Sequence, residues 1–171
     1  MNTAIDAAMN TIEDPKREML RHTIATVAYR GSKSVSNAPE GFAAFRVNET
    51  TRTPGEILAH MSDVLDWALR AVKGENVYNE FAPRSWEEEA TRFFASLKAF
   101  DDYLASDAPL VDYTAEKIFQ GPIADVLAHI GQIMLLRRMA GSPVRAEIYP
   151  MAEIMIGRVG REQSAERVEF D

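Results

Sequence analysis

The stretch that decides the fold is IADVLAHIGQIMLLRRM, residues 123–139. Its apolar residues lie nearly all round the helix that it predicts, which is typical of a helix packed inside a protein core. Two polar side chains, Asp125 and His129, interrupt the apolar surface. Because they are separated by just over one helical turn of about 3.6 residues, they project from one face. An ionised aspartate in such a helix costs on the order of several kcal/mol of desolvation unless something pairs with it, and a divalent cation would do so.

A second apolar segment, 57–72, contains another histidine, His60. Apolar residues flank this histidine at helical spacing, so we expect its imidazole to face the protein interior. Glu56 and Asp63 lie within one turn of it. Each can be a further ligand, a partner for the other ring nitrogen, or only a solvated charge. The predicted metal ligands are His60, Asp125 and His129.

Simpler interpretations of these polar residues stay open. A lone histidine on an apolar face is most often a hydrogen-bonded core residue, and we interpret His22 in that way. An aspartate near the start of a predicted helix, such as Asp125, is often a favourable charge at the positive end of the helix dipole. Asp125 can also pair with a histidine as a buried ion pair without any metal.

Composition limits the classes of function. A chain of 171 residues with a formal charge of -7 suits one soluble domain and argues against nucleic-acid or anionic-membrane partners. The absence of cysteine excludes disulfides, thiolate metal sites and iron–sulfur clusters. Met1–Thr11 lacks the basic region of a signal peptide, and the apolar run 118–136 is interrupted by Pro122 and Asp125. We therefore expect a cytoplasmic protein in which that run is a buried helix.

The remaining patterns predict an all-α fold. Capping boxes, with a residue pair that closes the first helical turn, begin at Thr53 and Ser85. Residues 31–53 form a long connection. Helices are predicted at Thr3–Ile12, Pro15–Tyr29, 53–73, 85–105 and from after Gly121-Pro122 to Ala140. The predicted architecture is a four-helix bundle with a long crossover connection after the first long helix.

A single domain covers residues 1–171 in this interpretation. Its core spans about 10–141, and residues 142–171 form a C-terminal extension. The polar residues 160–171 are predicted to be a mobile end.

The runs 126–133 and 136–141 resemble the last core helix of the DinB-like (DinB/YfiT) superfamily. That helix typically carries a histidine, three residues, and a second histidine followed closely by Gly-Gln. Residues 56–63 resemble the second helix of the family, which supplies the first ligand, and the likeness covers most of residues 10–141. His60 matches the first ligand and His129 the third, whereas Asp125 stands where the family usually has histidine.

The resemblance implies a four-helix bundle and a divalent transition metal, namely zinc, nickel, iron or manganese, held by three helix-borne ligands. Because Asp125 has a shorter reach than histidine, the metal would lie nearer the last helix or be bound through a water. Some relatives are thiol-dependent transferases or isomerases, which implies a small-molecule substrate or a low-molecular-weight thiol as partner.

Two alternatives accompany the thiol-dependent enzyme. Metal-assisted hydrolysis is the second enzymatic reaction that this ligand set can support. The second alternative is not an enzyme. In it, the chain is a non-catalytic bundle that binds a small ligand or a protein partner, with a degenerate or purely structural metal site. We also expect a homodimer, because aromatic-rich bundles often pair, although no interface is predicted.

Overall fold

A computed structural model describes residues 14–170, and within them the chain is predominantly α-helical, as predicted. The helices are α1 (Pro15–Val35), α2 (Pro54–Val72), α3 (Trp86–Ala105), α4 (Ala115–Ile118) and α5 (Ala124–Met139), with a π-helical segment at Phe119–Ile123. Two short antiparallel strands, β1 (Ala146–Glu147) and β2 (Glu169–Phe170), complete the structure. The predicted helix Thr3–Ile12 lies outside the described residues.

The four long helices share one apolar core. Helix α2 packs against α3 and α5, and α1 packs against the same two helices. The largest fully buried apolar side chains come from all four and from the start of the last helical stretch: Ile24, Tyr29, Leu58, Met61, Leu65, Phe93, Leu97, Phe100, Leu104, Ile118, Ile123 and Ile130. The connection between α1 and α2 also contributes, because buried Phe42 meets Trp86 edge to face at 5.3 Å.

Both predicted capping boxes are confirmed. Thr53 Oγ1 accepts a hydrogen bond from the Glu56 backbone at 3.2 Å, and the Glu56 carboxylate accepts one from the Thr53 backbone at 2.6 Å. Ser85 and Glu88 form the same reciprocal pair at the start of α3. The Thr53 cap fixes where α2 begins, and therefore which way His60 projects about two turns later.

Helix α1 extends to Val35, beyond the predicted end at Tyr29, and Gly31 lies inside it. A Cβ atom on Gly31 would lie 2.7 Å from Cε1 of Phe93. The glycine therefore allows α3 to approach α1 closely and does not break the helix. Periodicity could not reveal this, because the reason for the glycine lies on a helix distant in sequence.

We expect Gly31→Ala to lower the free energy of unfolding by about 1–3 kcal/mol, because the added methyl group overpacks the α1–α3 contact. Gly131→Ala is the matched control, since Gly131 is an exposed helical glycine with open space where its Cβ would be. There alanine should be neutral or stabilise by up to about 1 kcal/mol through its higher helix propensity. Urea unfolding of both variants measures the difference. Equal effects would contradict the close-approach explanation.

The last helix begins earlier than predicted. Helical structure starts at Ala115 and continues through Pro122, which lies in the π-helical segment. Proline lacks a backbone donor and clashes with the preceding turn, and a π-bulge accommodates such an interruption. Asp125 therefore lies about three turns from the N-cap residue Thr114. The helix dipole does not explain the position of this aspartate, because the dipole acts on charges within the first turn.

The last helix is also less buried than predicted. Val126, Ile130 and Ile133 face the core, whereas Leu135 and Met139 are 57% and 51% exposed. By length and composition the helix 115–139 is apolar enough to cross a membrane, and 33% of its most apolar window is buried within the fold.

The C-terminal extension packs against α1. The hydroxyl of Ser32 donates to the carbonyl of Arg161 at 2.6 Å, and β2 pairs with β1. The prediction of a mobile end from residue 160 is therefore wrong for the described part of that segment. The extension is anchored instead on Lys33, a buried lysine whose partners lie more than 100 residues away in sequence.

Candidate metal centre

The structure brings the three predicted ligands together. Helix α2 supplies His60, and α5 supplies Asp125 and His129. Oδ2 of Asp125 lies 3.3 Å from Nε2 of His60 and 3.5 Å from Nε2 of His129. One ligating atom from each residue lies within 4.8 Å of the other two. The planes of the two imidazole rings are nearly perpendicular, in an edge-to-face arrangement with 4.9 Å between their centroids.

These separations fit direct coordination. Two ligand atoms bound at about 2.0–2.1 Å in a tetrahedral site lie about 3.4 Å apart. The two Asp125–histidine distances match that spacing, so the short aspartate side chain reaches both nitrogens without an intervening water.

Gln132 orients His129. Its Oε1 atom lies 2.9 Å from Nδ1 of His129. With Nδ1 donating to this amide oxygen, the lone pair of Nε2 is directed towards Asp125, as a metal ligand requires. Gln132 was not among the predicted functional residues. Its position three residues after the histidine is the sequence signal that could have found it.

Tyr78 contacts the other histidine. Its hydroxyl lies 3.2 Å from Nδ1 of His60, on the side of the ring away from Asp125. Burial is the main cause that lowers the pKa of His60, and the charges of His129 and Arg52 lower it further, against the opposing effect of Asp125. His60 is therefore favoured in the neutral form that a metal ligand requires. Tyr78 comes from the connection between α2 and α3, where no periodic pattern marks it.

Asp63 and Glu56 do not join the cluster. The Asp63 carboxylate accepts hydrogen bonds from Arg92 and, at 3.1 Å, from the Phe81 backbone. Glu56 closes the capping box and lies 3.3 Å from Arg46. The predicted core position of His22 is wrong, because this residue is exposed on α1.

The site opens to solvent on the aspartate side. The side chains of His60 and His129 are 20% and 13% exposed, whereas that of Asp125 is 45% exposed. The strong desolvation cost expected for Asp125 is therefore wrong, and its position has to be explained by what it contacts. Cavities of about 510 and 640 Å³ adjoin the cluster, the first lined in part by His60 and the second by Asp125. Cavities of this size accommodate small molecules.

Fold and site together define a predominantly α-helical protein with a cluster of two histidines and one carboxylate at metal-ligand spacing. Comparison of the chain with protein-family models, with curated proteins and with solved structures found no match. What the protein does must therefore be inferred from the geometry of the site.

Proposed function

We propose that the protein is a metal-dependent enzyme of the DinB-like class. In this proposal the four long helices form a four-helix bundle, and the connection between α1 and α2 is its crossover. His60, Asp125 and His129 hold one divalent transition metal, such as zinc, nickel, iron or manganese. The order of the ligands along the chain and their positions on α2 and α5 support the proposal.

The observation that carries the proposal is the convergence of three ligand atoms from two helices. Oδ2 of Asp125 lies 3.3 Å from Nε2 of His60 and 3.5 Å from Nε2 of His129, close to the spacing of two ligands of one ion. The competing metal-free ion pair requires a positively charged histidine beside Asp125. Burial lowers the pKa of His60 and so disfavours that charge on His60.

Two histidines and one carboxylate leave coordination positions open for a substrate. A divalent ion there acts as a Lewis acid and lowers the pKa of a coordinated thiol or water. Gln132 and Tyr78 hold the two imidazoles in place. Asp63 and Glu56, the carboxylates nearest in sequence to His60, are already paired with arginines. A metal-bound water can act as nucleophile without a separate base, so these ion pairs do not exclude hydrolysis. We favour thiol-dependent transfer or isomerisation because of the resemblance to the DinB-like class.

Thermal unfolding of the metal-free protein, titrated separately with Zn²⁺, Ni²⁺, Mn²⁺ and Fe²⁺, tests the proposal. Binding to the folded state alone adds about 4 kcal/mol at 1,000 times Kd, which for a chain of this size raises Tm by on the order of 10 °C. We expect such a rise with at least one of the four ions. No rise with any of them would favour the non-catalytic bundle, in which the cluster is a degenerate site.

A variant of Gln132 tests how the site is oriented. We expect Gln132→Met to weaken metal binding about 10–100-fold, because it removes the acceptor that fixes the His129 tautomer. Gln132→Glu keeps an acceptor at the same position and should retain the affinity. The measurement is competition with a chelator of known affinity, with Tm of the metal-free variants as the check on folding. Equal losses in both variants would contradict a tautomer-fixing role.

A further inference from the structure

One wall of the cavity of about 510 Å³ beside His60 is formed by the end of the connection between α1 and α2. In this connection the backbone N–H of Thr50 donates to Oδ1 of Asn48 at 3.0 Å and closes a turn. Thr53, the N-cap of α2, follows within a few residues. The backbone of Arg52 is therefore held between a closed turn and a helix cap, although its side chain is exposed.

Most of the charged side chains that line this cavity form ion pairs. Asp63 pairs with Arg92, and Glu56 pairs with Arg46. The remaining side chains with a formal charge are Arg52 and Glu80. Within residues 14–170, Arg52 makes no hydrogen bond and no ion pair. Its guanidinium nevertheless lies close enough to act electrostatically on His60 and on Tyr78.

We infer that Arg52 binds a carboxylate of the small molecule that reacts at the metal centre, an inference that rests on the proposed function. A guanidinium presents paired donors that match the two oxygens of a carboxylate. The cavity adjoins His60, so a molecule held at its carboxylate by Arg52 can extend a reacting group towards the open coordination positions. The cavity is also of the size that holds small ligands.

The charges favour a carboxylate over a phosphate. A phosphate group carries up to two negative charges and is usually met by several cations or backbone donors. Among residues 14–170, the unpaired guanidinium of Arg52 shares the cavity with Glu80, whose carboxylate opposes a dianion. A singly charged carboxylate fits this balance.

Calorimetric titration of the zinc-loaded protein with 3-mercaptopropionate and with 3-mercaptopropionamide tests the inference. Both probes offer the same thiol to the metal, and they differ only in the charged end. We expect the acid to bind about 10–100-fold more tightly than the amide, as a hydrogen-bonded charge pair would give. Arg52→Gln should remove that preference. Arg138→Gln, at an exposed arginine outside the cavity lining, should keep it.

The outcomes separate this inference from the proposed function. Zinc is measured in each sample before titration. If zinc is retained but the acid and the amide bind equally, the role of Arg52 is overturned and the metal centre stands. If the protein retains neither zinc nor nickel, manganese or iron, both proposals are overturned. If inorganic phosphate displaces the acid more effectively than acetate does, the choice of a carboxylate is wrong.

Discussion

Replacing Lys33 with methionine is expected to lower the free energy of unfolding by about 3–5 kcal/mol, because it leaves a buried carboxylate without its counter-charge. Lys33 Nζ lies 2.8 Å from Glu147 and 2.7 Å from Glu169, and the side chains of Lys33 and Glu147 are 3% and 0% exposed. Tyr29 donates to the second oxygen of Glu147. Burial of Tyr29, aided by that bond, raises its pKa to about 12, so the hydroxyl keeps its proton. Natural domains are stable by about 5–15 kcal/mol, so the loss is a large fraction.

Two variants control this experiment. Lys98→Met removes an exposed lysine from an i,i+4 pair with Asp102, whose side chains are 66% and 61% exposed, and should cost no more than about 0.5 kcal/mol. The double variant Lys33→Met/Glu147→Gln removes the stranded charge and keeps the hydrogen bond to Tyr29, so it should recover most of the loss. Denaturant unfolding measures all three. A cost for Lys33→Met as small as that for Lys98→Met would show that the buried pair does not anchor the C-terminal extension.

Loss of a ligand is expected to have the second large effect. His129→Ala should abolish the metal-dependent rise in Tm, on the order of 10 °C, because two remaining ligands hold a divalent ion poorly. The metal-free variant should unfold near the temperature of the metal-free wild type, since the His129 side chain lies at the edge of the core. His22→Ala is the matched control, because His22 is exposed on α1 and distant from the cluster in sequence.

Asp125 offers a further comparison within the same experiment. Asp125→Ala should lose the metal-dependent rise, whereas Asp125→His, which introduces the residue usual in the DinB-like class, should keep it. If Asp125→Ala kept the full rise, the aspartate would not be a ligand. If His22→Ala lost the rise, the effect would not be specific to the cluster.

Local sequence signals predicted the parts of the fold that depend on neighbouring residues. The boxes at Thr53 and Ser85 start α2 and α3 because their hydrogen bonds join residues three positions apart. The i,i+4 spacing of Asp125 and His129 placed them on one face for the same reason. His60 was linked to them by its apolar surroundings and by the resemblance, and the structure brings all three together.

Features that depend on distant contacts were not predictable. The burial of Lys33 depends on strands more than 100 residues away, and the contact of Tyr78 with His60 depends on the path of a connection without periodic pattern. Asp125 was predicted to be buried, but its side chain is 45% exposed. A helix that is apolar on all sides does not reveal which of those sides packs against another helix. Gln132 differs from these, because its contact with His129 is local and its spacing of three residues could have revealed it.

Metal content per chain is the most direct test of the metal centre. The wild-type protein is purified without chelator, saturated with whichever of Zn²⁺, Ni²⁺, Mn²⁺ and Fe²⁺ raises Tm most, and freed of unbound ion. Its content of that metal is compared with that of the triple variant His60→Ala/Asp125→Ala/His129→Ala and of the control His22→Ala. We predict one ion per chain in the wild type and in His22→Ala, and none in the triple variant. Equal metal content in the wild type and the triple variant, or well under one ion of any of the four metals per chain in the wild type, would contradict a metal centre at this cluster.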